Sequence, residues 1–354
     1  MKPFEWTGQP GRVVFGPGSV AKLPAELERL GARRALVLCT PEQRALAETI
    51  AASLGGRAAG VYDRARMHVP LEVAQAAREV AASLGADCCV AVGGGSTVGL
   101  GKAIALTSSL PIVAVPTTYA GSEMTQIYGL TENGVKKTGR DARVLPRTVV
   151  YDPELLATLP AGIAGASGMN AIAHCVEALY AVDANPVVSL MAEEGIRAIA
   201  AGLPRAVGRA DDVEARSDVL YGAWLAGCAL NGASMAIHHK LCHTLGGTFD
   251  LPHADTHAVV LPYATAYNRE AAPDAMARIR RALGAFDAGD AAGGLLALGR
   301  AVGAPATLRA IGMPADGLER AAELAVLNPY WNPRPIERAA IRELLGRAFD
   351  GAEP

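Results

Sequence analysis

Histidine is concentrated in one stretch of this sequence, which points to chemistry there. Six of the seven histidines lie between positions 174 and 257. His239 and His243 are four residues apart, so in a helix both project from the same face. His253 begins the next apolar segment and can fold back onto that face, while Asn170 and His174 form a second i, i+4 pair upstream. Imidazole can ligate a metal ion or, with an ordinary pKa of about 6.5, transfer protons near neutral pH.

A single histidine is more often a hydrogen-bonded core or surface residue than a functional one. Several on compatible faces next to an apolar run are harder to explain in that way, so we expect a functional site there. The residues expected to act are His174, His239, His243 and His253. His238 and His257 lie off these faces by helical phase, and we expect them behind the site or at the surface.

A glycine-rich turn marks a place where a dinucleotide could bind. It follows the apolar run 88–92, opens a helix that continues to 106, and consists of Gly93, Gly94, Gly95 and Ser96. Glycines let a backbone approach a pyrophosphate, and a helix N-terminus supplies oriented N–H groups. One such turn is weak evidence, because tight strand-to-helix turns often have the same composition.

A second polar loop follows the next apolar run and strengthens this interpretation. Residues 116–123 come directly after the run 112–115, and their candidate ligand-binding members are Thr117, Thr118, Tyr119 and Ser122. Neighbouring strand ends form a crevice at the carboxyl edge of a parallel sheet, where ligands bind. Thr40 stands where an acidic residue would normally hold the adenosine ribose. Without that carboxylate a 2′-phosphate is not repelled, so we expect NADPH to be used alongside NADH.

The segments that must position these residues differ between the two halves of the chain. In the first half, amphipathic segments alternate with short β-branched runs at 12–15, 34–39, 57–62, 88–92, 112–115 and 148–151. This alternation predicts a parallel sheet covered on both faces by helices. The G-x-G-x-x-G fingerprint is absent, because the first run ends in Gly-Pro-Gly-Ser at 16–19. A Rossmann-like variant is therefore expected.

The second half reads as helices only. Long Ala/Leu/Glu/Arg segments, broken by Gly, Pro and Asn, lie at 188–201, 212–230, 273–286, 293–302, 317–327 and 335–349. The predicted fold is an α/β dinucleotide-binding N-terminal domain over residues 1–159, followed by an all-helical C-terminal domain over 160–354 that carries the substrate and the catalytic residues.

Composition excludes several classes of function. The chain has 354 residues, 51% of them hydrophobic and 19% charged, which is typical of a well-buried globular protein. A formal net charge of −2 offers no basic face, so nucleic acid is not expected as a partner. The sequence shows neither a secretory h-region nor an apolar run long enough to span a membrane, and its six cysteines form no CxxC pair. We expect a cytoplasmic protein with buried thiols.

These motifs together resemble the iron-containing alcohol dehydrogenase superfamily, over essentially the whole chain. The glycine turn, the Pro116-Thr117-Thr118 loop and the His239-x3-His243-x9-His253 spacing occupy the expected places. Four stretches are most similar to the maleylacetate reductase subfamily: 93–102, 116–125, 136–146 and 328–335. The resemblance implies an oxidoreductase that uses NADH, NADPH or both, a homodimer, and a cofactor contact by Lys136.

The resemblance also identifies a set of vestigial metal ligands. In metal-dependent members one Asp and three His hold iron or zinc, and these positions fall on Asn170, His174, His239 and His253. A neutral amide thus replaces the only anionic ligand, which weakens binding of iron more than that of zinc. Gly99 stands where many metal-dependent members have Asp. We expect an enzyme without a resident metal.

The activity implied by the subfamily is reduction of the carbon–carbon double bond of maleylacetate to 3-oxoadipate, in the degradation of aromatic compounds. Hydride addition next to a conjugated ketone makes an enolate, which His243 or His253 could stabilise or protonate. Donors for the two substrate carboxylates are expected among His174, His239, Thr118, Tyr119, Asn170 and Arg334. The segment 328–335, which holds Tyr330 and Arg334, is equally consistent with a helix-breaking loop.

Three alternatives stay open at this point. A metal-dependent alcohol or polyol dehydrogenase with an unusual Asn ligand is the nearest of them. A lyase like dehydroquinate synthase shares the fold, and a non-catalytic nucleotide or metal sensor belongs to another class of function.

Overall fold

The structure is a computed structural model that describes residues 4, 6, 8, 11–132 and 135–354, without the side chains of 135 and 136. The chain forms two compact units. One is Gly8–Thr158, and the other is Leu159–Pro354 together with the described residues of Met1–Thr7.

The first unit is built on a six-stranded sheet. Its strands are β1 (Arg12–Phe15), β2 (Ala35–Leu38), β3 (Ala58–Tyr62), β4 (Cys88–Gly93), β5 (Ile112–Pro116) and β8 (Thr148–Tyr151), with β6 (Ile127–Glu132) and β7 (Val135–Arg140) in a separate hairpin. All pairs in the large sheet are parallel, in the order β1-β8-β5-β4-β2-β3. The six strands match the six predicted runs to within one residue at each end. The antiparallel hairpin was not predicted, because its polar residues lack a clear alternation.

Helices cover both faces of this sheet, because successive side chains of a strand point to opposite sides. The helices are α1 (Leu23–Arg29), α2 (Arg44–Leu54), α3 (Leu71–Ser83) and α4 (Gly95–Ser108). Val90 of β4 is buried in one core cluster with Leu27 and Ile50, whereas the adjacent Cys89 belongs to the opposite cluster with Ala77 and Ile104.

The second unit contains nine helices within the described part of the chain. They are α5 (Ala161–Tyr180), α6 (Pro186–Gly208), α7 (Val213–Gly232), α8 (Ile237–Phe249), α9 (His253–Tyr267), α10 (Pro273–Leu283), α11 (Ala291–Ala301), α12 (Gly317–Val326) and α13 (Arg338–Asp350). Helices α6 and α7 approach closely through glycines, since a Cβ added to Gly222 would lie 2.8 Å from the carbonyl oxygen of Gly195. The predicted fold class, a parallel α/β unit followed by a helical one, is confirmed.

Composition led to two further expectations, one about the cysteines and one about membrane-spanning segments. All six cysteines lie in its described part as free thiols, and five of them are buried. No single described helix is both long and apolar enough to cross a bilayer; α7 and α8 meet the two conditions only when taken together, across a bend of 96°.

Candidate active site

Helix α5 presents one polar face inside an otherwise apolar environment. Asn170, His174 and Glu177 occupy successive turns at i, i+4 and i+7, so they line the same side of the helix. All three are buried, with at most 4% of each residue exposed. Burying polar groups at this depth costs free energy of folding unless they form hydrogen bonds.

Helices α8 and α9 bring the remaining histidines to a common place. Ring centroids of His174 and His239 are 5.1 Å apart, those of His239 and His257 are 4.8 Å apart, and those of His253 and His257 are 4.4 Å apart. His243 lies 6.1 Å from His239 and 6.5 Å from His253, ring to ring. We call this group the histidine centre; it consists of His174, His238, His239, His243, His253 and His257.

His238 and His257 belong to the centre, and the prediction of a possible surface position for them is wrong. Both residues are fully buried, and His238 Nε2 lies 2.9 Å from His257 Nδ1. His238 lies off the face of His239 and His243 as predicted, but His257 is four residues after His253 on α9, so these two share a face and the prediction that His257 lies off it is also wrong. The side that lies off the His239 and His243 face is nevertheless covered, because α8 and α9 pack against each other there.

Glu177 organises the centre, although it was not among the predicted site residues. Its carboxylate accepts hydrogen bonds from the backbone N–H groups of Ala236 (2.8 Å) and His238 (2.7 Å). It also accepts from His239, through the backbone N–H at 3.3 Å and through ring Nδ1 at 2.7 Å. The carboxylate thus caps the N-terminus of α8, where a negative charge is favoured. Its position three residues after His174 could have predicted that it lies on the same helix face as the site.

Glu177 also sets the tautomer of His239. A carboxylate only accepts hydrogen bonds, so Nδ1 of His239 carries the proton and Nε2 faces away. Within the described part of the chain, five buried atoms have no hydrogen-bond partner and belong to the centre or to the adjacent Asn170: His174 Nδ1, His238 Nδ1, His239 Nε2, His257 Nε2 and Asn170 Oδ1. Unpaired buried polar atoms are rare in folded proteins. Their concentration here indicates a place that receives a ligand.

Burial keeps three of these imidazoles neutral. It lowers the pKa of His174, His238 and His257 well below the ordinary value, and the neighbouring histidines lower each further. A neutral imidazole can donate one N–H and accept at its other nitrogen. These three rings therefore act at neutral pH as dipolar hydrogen-bonding groups and supply no net positive charge.

The neutral imidazoles make the fold sensitive to acid. In the unfolded chain these rings titrate near a pKa of about 6.5, so below that pH the unfolded chain binds more protons than the folded one. The stability is fully present above this value and decreases as the pH falls. We expect the melting temperature in calorimetry to decrease between about pH 7 and pH 5.5, and to do so less steeply for His257→Gln. Equal slopes for the two proteins would contradict this.

The donor set does not fit an iron centre of one Asp and three His. Asn170, His174, His239 and His253 supply only neutral donors, whereas sites for ferrous iron typically include a carboxylate. The buried carboxylate nearby, Glu177, already accepts four hydrogen bonds and holds the backbone of α8. It cannot turn towards an ion without breaking that cap.

The segment 328–335 borders the centre through Tyr330. The hydroxyl of Tyr330 lies 3.2 Å from His243 Nδ1. The segment is held in place by a reciprocal amide pair, in which Asn332 donates to Asn268 at 2.7 Å and accepts from it at 3.0 Å. Arg334, a candidate for substrate binding, lies with its guanidinium 4.1 Å from the ring centroid of Tyr267. In this arrangement Arg334 helps to anchor the segment.

In the first unit, the glycine turn connects β4 to α4. Gly93 has a φ of +155°, and a Cβ there would lie 2.4 Å from Thr97 Oγ1, so only glycine fits without displacement. A Cβ on Gly94 would come within 3.0 Å of the Thr118 side chain. Helix α4 starts at Gly95 and has no side-chain cap. Its first N–H groups, with Gly95 exposed and Ser96 half-buried beside them, can therefore bind an anion such as a pyrophosphate.

The loop after β5 lies at the same edge of the sheet, because β4 and β5 are paired in parallel. Gln43 donates to the hydroxyl of Thr117 at 2.5 Å. Thr118 is half-buried, and Tyr119 is only 1% exposed, so Tyr119 is part of the core. This edge of the sheet offers glycine backbone, helix N–H groups and hydroxyl groups. These groups suit the binding of a reduced nicotinamide dinucleotide.

A buried lysine, which the sequence prediction missed, holds this loop. Lys102 Nζ donates to the carbonyl oxygens of Ser122 and Ile127, each at 2.7 Å, and to Thr125 Oγ1 at 2.9 Å. Burial lowers the pKa of Lys102 to about 7. Burial also raises the pKa of the neighbouring Glu123, which accepts from the Tyr151 hydroxyl at 2.7 Å.

Thr40 lies in the turn after β2, as predicted, but a carboxylate lies close to it. Glu42 is two residues further on, and hydrogen bonds from its own backbone N–H and from the Thr40 hydroxyl lower its pKa. Position 40 alone does not reveal this carboxylate. The side chain of Lys136, the other predicted cofactor contact, lies outside the described residues.

Comparisons with known proteins agree with this geometry. The family model described as iron-containing alcohol dehydrogenase matches residues 10–153, and the C-terminal model of the same family matches 164–349. A maleylacetate reductase of Burkholderia cepacia is 60% identical over 354 residues, all of both chains. The crystal structure of maleylacetate reductase from Agrobacterium tumefaciens superimposes with a TM-score of 0.95 at 52% identity, again over both whole chains. A putative alcohol dehydrogenase from Ralstonia eutropha JMP134 gives 0.98 and 61%, with complete coverage.

Proposed function

Because the chain belongs to the iron-containing alcohol dehydrogenase family, we propose that it reduces the carbon–carbon double bond of maleylacetate with NADH or NADPH. The observation that carries this proposal is 60% identity to a maleylacetate reductase along the whole of both chains. The histidine centre supports it, since imidazole N–H donors in a centre without an anionic ligand suit an enolate better than a metal alkoxide.

The chemistry divides into a hydride and a proton. A bound reduced nicotinamide supplies the hydride, which forms a bond to the alkene carbon β to the ketone. The π electrons then move towards the ketone oxygen, and a proton is added at the α carbon to give 3-oxoadipate. His243 and His253 are the proposed donors to the enolate. Tyr330, 3.2 Å from His243 Nδ1, fixes the orientation of that ring.

The product distinguishes this function from that of an alcohol dehydrogenase. We expect purified protein to oxidise reduced nicotinamide with maleylacetate and to yield 3-oxoadipate, identified by mass spectrometry and NMR. Reduction of the ketone would instead give a hydroxy acid that retains the double bond. That product, or turnover only with simple alcohols and aldehydes, would overturn the proposal.

The cofactor preference is proposed to depend on Glu42. With Thr40 at the end of β2, both NADH and NADPH are accepted, but the nearby carboxylate repels a 2′-phosphate. We expect Glu42→Gln to lower the KM for NADPH about three- to tenfold and to leave the KM for NADH unchanged. Steady-state kinetics with both cofactors measure this, and an equal change for the two would contradict it.

The protein is further proposed to be a cytoplasmic homodimer whose substrate is a small dicarboxylate. Light scattering coupled to gel filtration checks the dimer. A monomer at assay concentration that retains full activity would contradict it.

A further inference from the structure

We propose that Lys240 binds one carboxylate of the substrate and so determines specificity for a dianion. The inference rests on the proposed function for the identity of the substrate. The sequence motifs do not mark this residue, because they consist of the histidines on either side of it.

The position of Lys240 follows from helix geometry. It lies three residues before His243 on α8, and i, i+3 neighbours project side by side. Tyr330 adjoins both side chains: its ring centroid is 6.0 Å from Lys240 Nζ, and its hydroxyl is 3.2 Å from His243 Nδ1. The ammonium group of Lys240 thus lies beside Tyr330, as does the imidazole of His243, which is proposed to donate to the enolate.

The charge of Lys240 is available. Among the residues that the structure describes, no carboxylate forms an ion pair with it, and its side chain is half-buried. Arg334, the arginine expected to bind a carboxylate, is stacked on Tyr267 and donates to the carbonyl oxygen of that residue at 3.3 Å.

A cation in this position gains from an incoming anion. The side chain of Lys240 is half-buried, so its ammonium group is partly deprived of water. A carboxylate that arrives with the substrate would form a charge-assisted hydrogen bond where water is partly excluded, and such bonds are stronger than exposed ion pairs. The centre would then supply neutral N–H donors for the enolate and one full positive charge for a carboxylate.

The test compares Lys240→Met with Lys240→Arg, using maleylacetate as substrate. Loss of a hydrogen bond to a charged group predicts that KM for Lys240→Met rises about 10- to 100-fold, while kcat stays within about threefold. Lys240→Arg keeps the charge and should restore most of the loss. Lys22→Met removes an exposed lysine of the first unit and is the matched control, expected to behave as wild type. An unchanged KM for Lys240→Met, or a loss confined to kcat, would overturn the proposal.

A monoanionic substrate shows which carboxylate is bound. In cis-4-oxopent-2-enoate the enone is kept, but a methyl group replaces the carboxymethyl arm. If Lys240 binds the carboxylate of that arm, Lys240→Met leaves KM for this compound unchanged; if it binds the carboxylate next to the double bond, KM rises as it does for maleylacetate. Both patterns support a carboxylate site when KM for maleylacetate has risen.

Binding without turnover separates this proposal from the proposed function. In calorimetry with adipate, Lys240→Met should lower the affinity of the full chain at least about tenfold, while Lys22→Met has no effect. Should wild type fail to reduce maleylacetate, the proposed function is wrong, yet the adipate result still decides whether Lys240 is a carboxylate site. Equal adipate affinities for wild type and Lys240→Met would overturn it.

Discussion

Replacing His253 with alanine is expected to lower kcat for reduction of maleylacetate by about 100- to 10,000-fold, the usual range for loss of a positioned proton donor. His253 is the first residue of α9 and is half-buried, unlike the wholly buried rings behind it. Its ring is stacked with that of His243 at a centroid distance of 6.5 Å. It is therefore placed to reach both a substrate and the second donor. Steady-state and single-turnover kinetics measure the effect.

The binding of cofactor provides the control for this variant. NADH affinity, followed by nicotinamide fluorescence, should be unchanged in His253→Ala, because the glycine turn belongs to the other unit. Turnover within a few-fold of wild type would show that His253 has no part in the chemistry. A loss of NADH binding would show that the variant is misfolded, and His253→Asn would then replace it.

The second large effect is expected from Asn170→Asp, which restores the missing anionic ligand. Wild-type protein grown with iron and zinc should contain less than about 0.1 metal ion per chain, and Asn170→Asp should contain roughly one, as a site of one carboxylate and three imidazoles would. The reason is electrostatic: the amide Oδ1 of Asn170 is buried and without a partner, and a carboxylate there would supply a charge to a cation. Elemental analysis of the purified proteins measures the difference.

Asn170→Ala is the matched control, since it alters the same side chain without adding charge. It should remain free of metal. Stoichiometric iron or zinc in wild type, with activity lost on chelation and restored by that metal, would contradict the interpretation and favour a metal-dependent dehydrogenase.

Local patterns in the sequence were sufficient to predict the sheet and most of the residues of the candidate site. Each strand of the large sheet is a short apolar run that ends in glycine, proline or a polar residue, and such signals do not depend on the rest of the fold. Likewise, the i, i+4 spacings predicted that Asn170 and His174 share one helix face and that His239 and His243 share another, and both pairs do lie on single helices. The fold class and the glycine turn were predicted for the same reason.

What the sequence could not show depends on contacts between distant segments. In the sequence, Glu177 cannot be distinguished from an ordinary helical glutamate. Its role depends on the start of α8, whose backbone N–H groups donate to its carboxylate. His238 was placed on the right helical phase, but a phase does not reveal which side another helix will cover. Lys102 is the extreme case: a lysine in a helix is usually exposed, and only the loop 122–127, folded back over it, explains its burial.

The most direct measurement is the rate of maleylacetate reduction by protein from which metals have been removed. The protein would be dialysed against a chelator, its metal content determined by elemental analysis, and its kcat compared with that of the untreated sample in metal-free buffer. We expect equal kcat values, with 3-oxoadipate formed in a one-to-one ratio to the nicotinamide oxidised. Activity that disappears with the metal and returns in proportion to added iron or zinc would contradict a reductase whose histidine centre works by proton donation alone.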